Sequence, residues 1–597
     1  MTSHGEQQTA PAVWSATSTG AIQEIGYCGV VELTAGPIAA GIANAAEVYS
    51  GLSVDSILKG FRARAGLPSP GKALSGWARE TTEATFGQWV SGLARLSRVL
   101  NDASLASRAV ELVDGYAATL PSTAKTGMGI YGWEKLVCGL VDTFSYTGYK
   151  PALDLLSKVV RAESFDQTKT PPVPNDFAGA GAAFTPEWYT LPENLYRGFL
   201  ASGDEALAER AGLWHYDSYW DKFAKRPESG MPWQVPVWLH AYSHVNTFAS
   251  VAALLEVTRE PRYLSILRNA HDWLVETQCY ATGGYGPSEL TVPSDGTLGK
   301  ALEWRPDTAE IVCGTWAVFK LCSALLKHSS EARYLEWPER LLYNGLLAAL
   351  PLRPDGLSPY YADYRLGWAT KSYYWEEWPC CSGTYVQAFS HVPNLVYQAV
   401  GDDGIAVSLF APSRLHWEVH GQALTVEQKT KFPEEDQSVI YVHEAPSTEV
   451  TIWVRVPTWA QRLQLELNGS PVSEAGQPGH WLAVRRRWAR GDRLQIGFAS
   501  ALTAWPVDAS HPNRVAMTYG PVALAQDAAW SAPFSAAVPW QMVDWGSLLA
   551  RETDSLTFRP VAPGTTRMPT GVFRPLYAFG ERHPYRLYHD LDAPRII

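Results

Sequence analysis

The chain has 597 residues, too many for one ordinary core, so one large domain with one or two smaller ones is expected. Hydrophobic residues make up 46% and charged residues only 18%, which excludes a disordered chain, and a formal net charge of −11 argues against a nucleic-acid partner and a strongly polyanionic substrate. The unusual count is 25 Trp beside 28 Tyr, which fits either dense cores or a surface that stacks flat ligands such as sugar rings.

Residues 1–44 read as an N-terminal segment whose strands pack on a later sandwich. Its start, Met1-Thr2-Ser3-His4-Gly5-Glu6, lacks the basic region and apolar core of a secretory signal. No stretch approaches 18 uncharged apolar residues, so no membrane partner is expected. Seven Cys is a sparse, odd count that excludes a disulfide scaffold. A reduced, cytoplasmic protein follows, in which clustered Cys points to metal binding or catalysis.

From 45 to 402 the pattern is helical. Phe248, Val251, Ala252 and Leu255 have the spacing of one helix face, and Cys313, Trp316, Ala317, Leu321 and Ala324 repeat it. Long loops at 164–186, 280–306 and 353–384 interrupt the helices, and long loops in compact domains are usually functional. After 403 the period becomes two. Ile452, Val454 and Val456 alternate with Thr451, Trp453 and Arg455; Leu463, Leu465 and Leu467 run into Asn468-Gly469, a hairpin signal. Residues 403–530 therefore read as an antiparallel β-sandwich, and 531–597 as a Pro-rich, β-rich extension.

Four places carry chemistry. Cys380 and Cys381 are adjacent thiols in Trp378-Pro379-Cys380-Cys381-Ser382-Gly383-Thr384, able to ligate Zn²⁺ or simply to fill a core. Asp307-Thr308-Ala309-Glu310 leads into Cys313; Glu310 is either the Glu of a capping box or, with the three Cys, the fourth corner of a tetrahedral zinc set. A Gly-rich turn from Tyr280 to Pro287 delivers Glu289, read either as a carboxylate held over a cleft or as a solvated side chain. His240 and His244, four apart, share a helix face and suit sugar contacts or a satisfied core better than a metal pair.

The ordered set resembles the β-L-arabinofuranosidase superfamily, glycoside hydrolase families 127 and 146. The resemblance runs along most of the chain: Phe61-Arg62 to Pro68 and Gly76-Trp77 at the start; Glu187 to Glu193 with Asn194-Leu195-Tyr196 in the middle; Leu342-Tyr343-Asn344 and the Cys-Cys motif; then Arg455-Val456-Pro457, Trp488 to Asp492, and Tyr519-Gly520-Pro521. It implies an (α/α)6 barrel followed by β-sandwich domains, a glycoside or oligosaccharide substrate, a bound zinc ion and a homodimer. Carried across by motif, Cys380 is the nucleophile of a retaining mechanism and Glu289 the acid/base. Glu310, Cys313, Cys380 and Cys381 are the zinc set. Glu187, His240, His244, Tyr374 and Trp378 are expected to line the sugar site.

There are departures. The family spaces its carboxylate as Glu-x-Cys, whereas Ile311 stands there and Glu310 lies one residue further off. An early Arg-Gly-His…Gly-His stretch is replaced by Thr82 to Trp89, and a His-Lys reads Glu134-Lys135. These departures keep two alternatives open, a non-catalytic carbohydrate-binding relative and a polysaccharide lyase.

Overall fold

The computed structural model describes residues 11–25, 29–163, 165, 169, 187–472, 476–529, 541, 543–561 and 571–592. The loop expected at 164–186 and the first ten residues lie almost wholly outside the described residues, as does part of the C-terminal extension.

The helical part comprises α1 (Gly36–Gly51), α2 (Val54–Arg64), α3 (Phe86–Val99), α4 (Ala103–Ala117), α5 (Ile130–Thr147), α6 (Pro151–Ala162), α7 (Leu191–Ser202), α8 (Glu205–Gly212), α9 (Ala241–Thr258), α10 (Pro261–Thr277), α11 (Ile311–Ser329), α12 (Glu336–Leu341) and α13 (Cys380–Val396), besides shorter turns. Helices α3, α5, α7, α9, α11 and α13 each pack on the next, and α13 closes on α3. Each carries an outer partner: α4, α6, α8, α10, α12 and, for α13, α1. This is an (α/α)6 barrel. Sequence decides which helix goes inside. Helix α6 buries Ala152, Leu155, Leu156, Val159 and Val160, the single stripe of an outer helix. Helix α9 buries every residue from Ala241 to Leu255, so it is covered all round.

Helix α11 is long and apolar enough to cross a membrane, which the count of uncharged apolar residues had not suggested. Here it is an inner barrel helix whose Cys313, Trp316, Ala317 and Leu321 are buried. Helices α3 and α5 meet backbone to backbone. A Cβ on Gly87 would lie 1.7 Å from the Lys135 carbonyl oxygen, so no side chain fits there. This contact brings the start of α5 against the start of α3.

The C-terminal half is rich in sheet. Strands Ala12–Ala16, Trp481–Arg486, Val450–Arg455, Gly404–Val407, Tyr397–Val400 and Ile22–Glu24 form, in that order, a six-stranded sheet. One of its pairings, Val450–Arg455 with Gly404–Val407, is parallel, so the sheet is mixed where an antiparallel one was expected. Strand Val30–Leu33 joins the edge of a seven-stranded sheet beside Ser413–Val419. In that second sheet Leu467 pairs with Ser470 across Asn468 (φ 53°) and Gly469 (φ 83°), the two positive values a tight hairpin turn requires. A third sheet joins Leu502–Asp508, His511–Tyr519 and Val522–Asp527 to Phe573–Pro575 and shorter strands, spanning residue 530. The expected boundary at 45 falls inside α1.

The buried tryptophans belong mostly to cores: Trp89, Trp133, Trp214, Trp220, Trp273, Trp337 and Trp481 are among the largest fully buried side chains.

Candidate active site

The starts of α7, α9, α11 and α13 meet at one end of the barrel, where helix N-termini favour negative charge. Cys380 and Cys381 are the first two residues of α13, after an extended Pro379. Cys313 opens α11. Its sulfur lies 3.2 Å from that of Cys381, 3.6 Å from that of Cys380 and 3.0 Å from the Thr384 hydroxyl. Glu310 is not the inner Glu of a capping box. It precedes α11 in extended conformation, makes no capping bond, and pairs as Ala309–Glu310 with Tyr361–Ala362. Its Oε1 lies 3.7 Å from the Cys381 sulfur.

One ligand atom from each of Glu310, Cys313, Cys380 and Cys381 lies within 4.8 Å of the others, and all four residues are buried. Glu310 Oε2 is buried with no hydrogen-bond partner. Such an orphaned oxygen is costly unless something else satisfies it. Three sulfurs and a carboxylate are a donor set for a tetrahedral cation, and the residues fit a metal.

Glu289 sits on a turn, Pro287–Glu289, behind Gly286 at φ 77°. Ser288 and Glu289 also have positive φ, 56° and 61°, which costs a non-glycine residue roughly 1–2 kcal/mol. Ser288 accepts from Arg305, and the Ser288 amide donates to the Asp307 carbonyl at 2.8 Å, so the strained turn is held from outside. Glu289 accepts a hydrogen bond from the Tyr361 hydroxyl and is about four-fifths buried, not a solvated side chain. Trp238 (φ 65°) and Trp378 (φ 54°), each two residues before a site residue, are strained in the same way. Among the described residues, four of the twelve non-glycine residues with positive φ therefore frame this end of the barrel.

His240 ties the two halves together. Its Nδ1 meets Glu187 Oε1 at 2.9 Å, and its Nε2 lies 3.6 Å from Glu289 Oε2 and 3.7 Å from Glu310 Oε2. Burial works against its protonation, but the hydrogen bond to Glu187 and the nearby carboxylates of Glu310 and Glu289 prevail and hold the imidazole well above its ordinary value. Burial lifts Glu310 to about 7, with His240 pulling the other way. Contacts from Cys313 and Cys381, opposed by burial and helped by the Tyr360 hydroxyl and the Lys135 ammonium, hold the Cys380 thiol well below the usual range. Burial pushes Cys313 and Cys381 up instead. Of the three thiols, Cys380 is the one poised as a thiolate.

The other expected sugar-site residues divide. Tyr374 is half-buried and stacks on Tyr360, centroids 4.5 Å apart. Trp378 does not face the cleft: it is 2% exposed and packs on Trp89 and Tyr49 in the core beneath the cysteines. His244 is buried one turn below His240, with Nδ1 2.8 Å from the His240 carbonyl and its ring against Tyr189; burial lowers it to about 3. It is a neutral packing residue.

Sequence reasoning missed Tyr360 and Tyr361. The Tyr360 hydroxyl lies 3.7 Å from the Cys380 sulfur, while Tyr361 holds Glu289. The available signal was an adjacent aromatic pair inside the long loop 353–384. Lys135 is buried at the start of α5, paired with Glu134 at 2.8 Å. Asn194 also donates to Glu134, at 2.8 Å.

The family description "Beta-L-arabinofuranosidase, GH127 catalytic domain" matches residues 30–394, and the middle domain of the same family matches residues 404–499. No curated protein matches the chain. Among solved structures, a GH127 β-L-arabinofuranosidase from Geobacillus stearothermophilus T6 is similar at 16% identity and TM-score 0.68, covering 94% of this chain and 99% of that one. A GH127 β-arabinofuranosidase, BT3674, is similar at 15% identity and TM-score 0.67, covering 96% and 98%. A structure described as a glycoside hydrolase is similar at 16% identity and TM-score 0.68, covering 98% of each chain. At such identities the structures speak for the fold; the family description, which spans most of the chain, decides membership. The chain belongs to the β-L-arabinofuranosidase family GH127 and is a glycosidase.

Proposed function

We propose that this chain is a retaining glycoside hydrolase with Cys380 as nucleophile and Glu289 as acid/base, acting on a β-L-arabinofuranoside or a related non-reducing-end sugar. The observation that carries the reading is a pair of neighbours: Tyr360 touches the Cys380 sulfur and Tyr361 touches the Glu289 carboxylate, so both groups face one small space. The choice of sugar is supported by the names of the family and of the GH127 structures.

The residues account for a double displacement. The Cys380 thiolate attacks the anomeric carbon as the bond to the leaving oxygen breaks, and that oxygen takes the proton carried by Glu289. The sugar is then held as a thioglycoside. Glu289, now a carboxylate, takes a proton from water; the oxygen of that water forms a bond to the anomeric carbon, and the carbon–sulfur bond breaks to return the thiolate. Two inversions give net retention. His240, held by Glu187, stands beside Glu289 and Glu310 and offers a hydrogen bond to a sugar hydroxyl. Glu310, Cys313, Cys381 and Cys380 would hold Zn²⁺, which when bound keeps its thiolates deprotonated. Free thiols this close need a reducing compartment, which favours the cytoplasm.

Turnover of nitrophenyl furanosides and pyranosides, with the first-released anomer read by NMR, tests the reading. Cys380→Ala is expected to lose at least about a thousandfold in kcat, with retention in the wild type. Full activity in both Cys380→Ala and Glu289→Gln, or an inverted anomer, overturns it. Detectable hydrolysis rules out a mere binder, and the absence of an unsaturated, ultraviolet-absorbing product rules out a lyase.

A further inference from the structure

We infer that Tyr588 and Tyr585, two buried tyrosines of the third sheet, are positioning residues for Glu289: their hydroxyls fix the two loops whose meeting sets the acid/base in place. The inference rests on the reading of Glu289 above and deepens it. Glu289 and the Tyr361 hydroxyl that it accepts from stand on different segments, the loop 278–292 and the loop 353–384. Neither segment is a long helix or strand at that point, so contacts from outside must hold it. Tyr588 serves the first loop. Its hydroxyl oxygen accepts from the Ala281 amide at 2.9 Å, and its ring meets Tyr280 edge-on, centroids 6.1 Å apart. Tyr585 serves the second. Its hydroxyl donates at 2.7 Å to the carbonyl of Asp363, two residues after Tyr361, and its backbone exchanges two hydrogen bonds with Ala369, at 2.8 and 2.9 Å. The Lys371 ammonium of the same loop donates to the Leu576 and Phe579 carbonyls, at 2.7 Å each.

Each contact is passed on to the acid/base. Gln278 closes the base of the first loop, accepting from the Val292 amide and donating to the Val292 carbonyl, both at 2.9 Å. Inside that loop the Tyr280 amide donates to the Gly284 carbonyl at 2.9 Å, and Glu289 follows on its strained turn. A Cβ on Gly284 would lie 3.0 Å from the Tyr364 hydroxyl oxygen and 3.1 Å from the Ala309 Cβ, so the two loops touch with no room for a side chain. The Tyr364 amide donates to the Thr308 hydroxyl and the Thr308 amide to the Ala362 carbonyl, both at 2.9 Å. Tyr280, Val292, Ala309 and Tyr364 share a buried apolar cluster with Leu587 and Tyr588, apart from the main core. The base is firm, because Tyr585–Arg586 pairs with Val522–Asp527 and Tyr588–Asp590 with His511–Tyr519. A Phe ring would fill the same core; what each hydroxyl adds is a fixed distance to the backbone of one loop. Glu289 needs that, because its positive φ persists only where the surroundings over-determine it. A catalytic group misplaced by about 1 Å loses on the order of a hundredfold in rate.

The test uses the full-length chain and two β-L-arabinofuranosides, one with methanol and one with dinitrophenol as leaving group. Methanol leaves only when protonated, whereas dinitrophenolate leaves unaided. In Tyr588→Phe and in Tyr585→Phe, kcat on the methyl glycoside is expected to fall roughly tenfold, and in the double variant about a hundredfold. The burst of dinitrophenolate, which reports the first step alone, should stay within about twofold of the wild type. Equal losses on both leaving groups would make the hydroxyls merely structural and overturn the inference. So would wild-type rates on the methyl glycoside, or failure of both single variants to fold, read from their melting curves. Glu289→Gln, run beside them, separates the two readings. If it loses selectively on the methyl glycoside and the Phe variants do not, the positioning role falls alone. If it shows no selectivity, or the wild type cleaves neither substrate, the acid reading falls and takes the positioning role with it.

Discussion

Glu310 lies three residues ahead of Cys313, yet its Oε1 comes 3.7 Å from the sulfur of Cys381. A Glu inside the first turn would be aimed along the helix axis. Glu310 is instead an extended residue paired with Tyr361, and an extended side chain stands off its backbone sideways, toward α13. That is how a Glu three residues before Cys313 reaches the cysteine cluster. If these four residues hold zinc, the purified chain should carry about one equivalent by mass spectrometry. Cys313→Ser should lose most of it, and Glu310→Gln should bind it more weakly while keeping three sulfurs. Chelation should lower the melting temperature by several degrees, because metal bound only by the folded state is folding free energy, and added Zn²⁺ should restore it. A melting temperature indifferent to both would sink the metal site.

Glu289→Gln separates proton donation from everything else at the site. With a sugar or alkyl leaving group, kcat is expected to fall roughly 10²–10⁴-fold. With a dinitrophenyl leaving group, which departs unaided, the first step should recover and the thioglycoside should accumulate on Cys380, visible by intact-protein mass. Equal losses on both substrates would show that Glu289 is not the acid.

Much of this was legible in the chain. Helices α9 and α11 follow from the three- and four-residue spacing of their apolar side chains, although both are buried nearly all round as inner barrel helices. The Cys pair stood out because two adjacent thiols do little for a core that one apolar residue would not do better. The Asn468-Gly469 turn was readable because only such residues tolerate its dihedrals. Other features carry no local signal. Trp378 reads like a cleft aromatic from its place beside Cys380, but its positive φ turns the ring under the helix, against Trp89. Val522–Asp527 pairs with Phe573–Pro575, a contact that no period within either segment announces. Tyr361 gains its role from the two-residue strand Tyr361–Ala362 opposite Ala309–Glu310, with Tyr360 just ahead of it, and that strand is too short to show as alternation.

The barrel interior depends on charge as well as packing. Asp142 is fully buried on α5 between Arg95, 2.8 Å away, and Arg197, with Ser91 donating at 2.6 Å. Burial alone would raise its carboxyl, but the two guanidiniums hold it well below the usual range. Asp142→Asn keeps the shape and removes the charge, taking the shared carboxylate from buried Arg95 and half-buried Arg197. The expected loss is about 3–5 kcal/mol, read as a clear drop in melting temperature. A variant as stable as the wild type would mean that water reaches these arginines and screens them.

Glu256, near the end of α9, gives stability a pH dependence. It meets Lys327 at 2.7 Å and His328 at 2.8 Å, both from the end of α11. Burial opposes its ionisation, but His328 and Lys327 bring it down to about 2. In the unfolded chain a Glu titrates near about 4.3. Between these values the unfolded state binds the proton and the folded state does not, so falling pH drains stability. The contribution is whole above about 4.3 and is lost as pH falls toward 2. Because Glu256 is partly exposed, its full shift overstates the energy, and roughly 1–2 kcal/mol is expected at neutral pH. Glu256→Gln should therefore melt below the wild type at pH 7, and the gap should shrink by about half at pH 3.5. A gap that stays constant across that range would show that the loss comes from packing and not from charge.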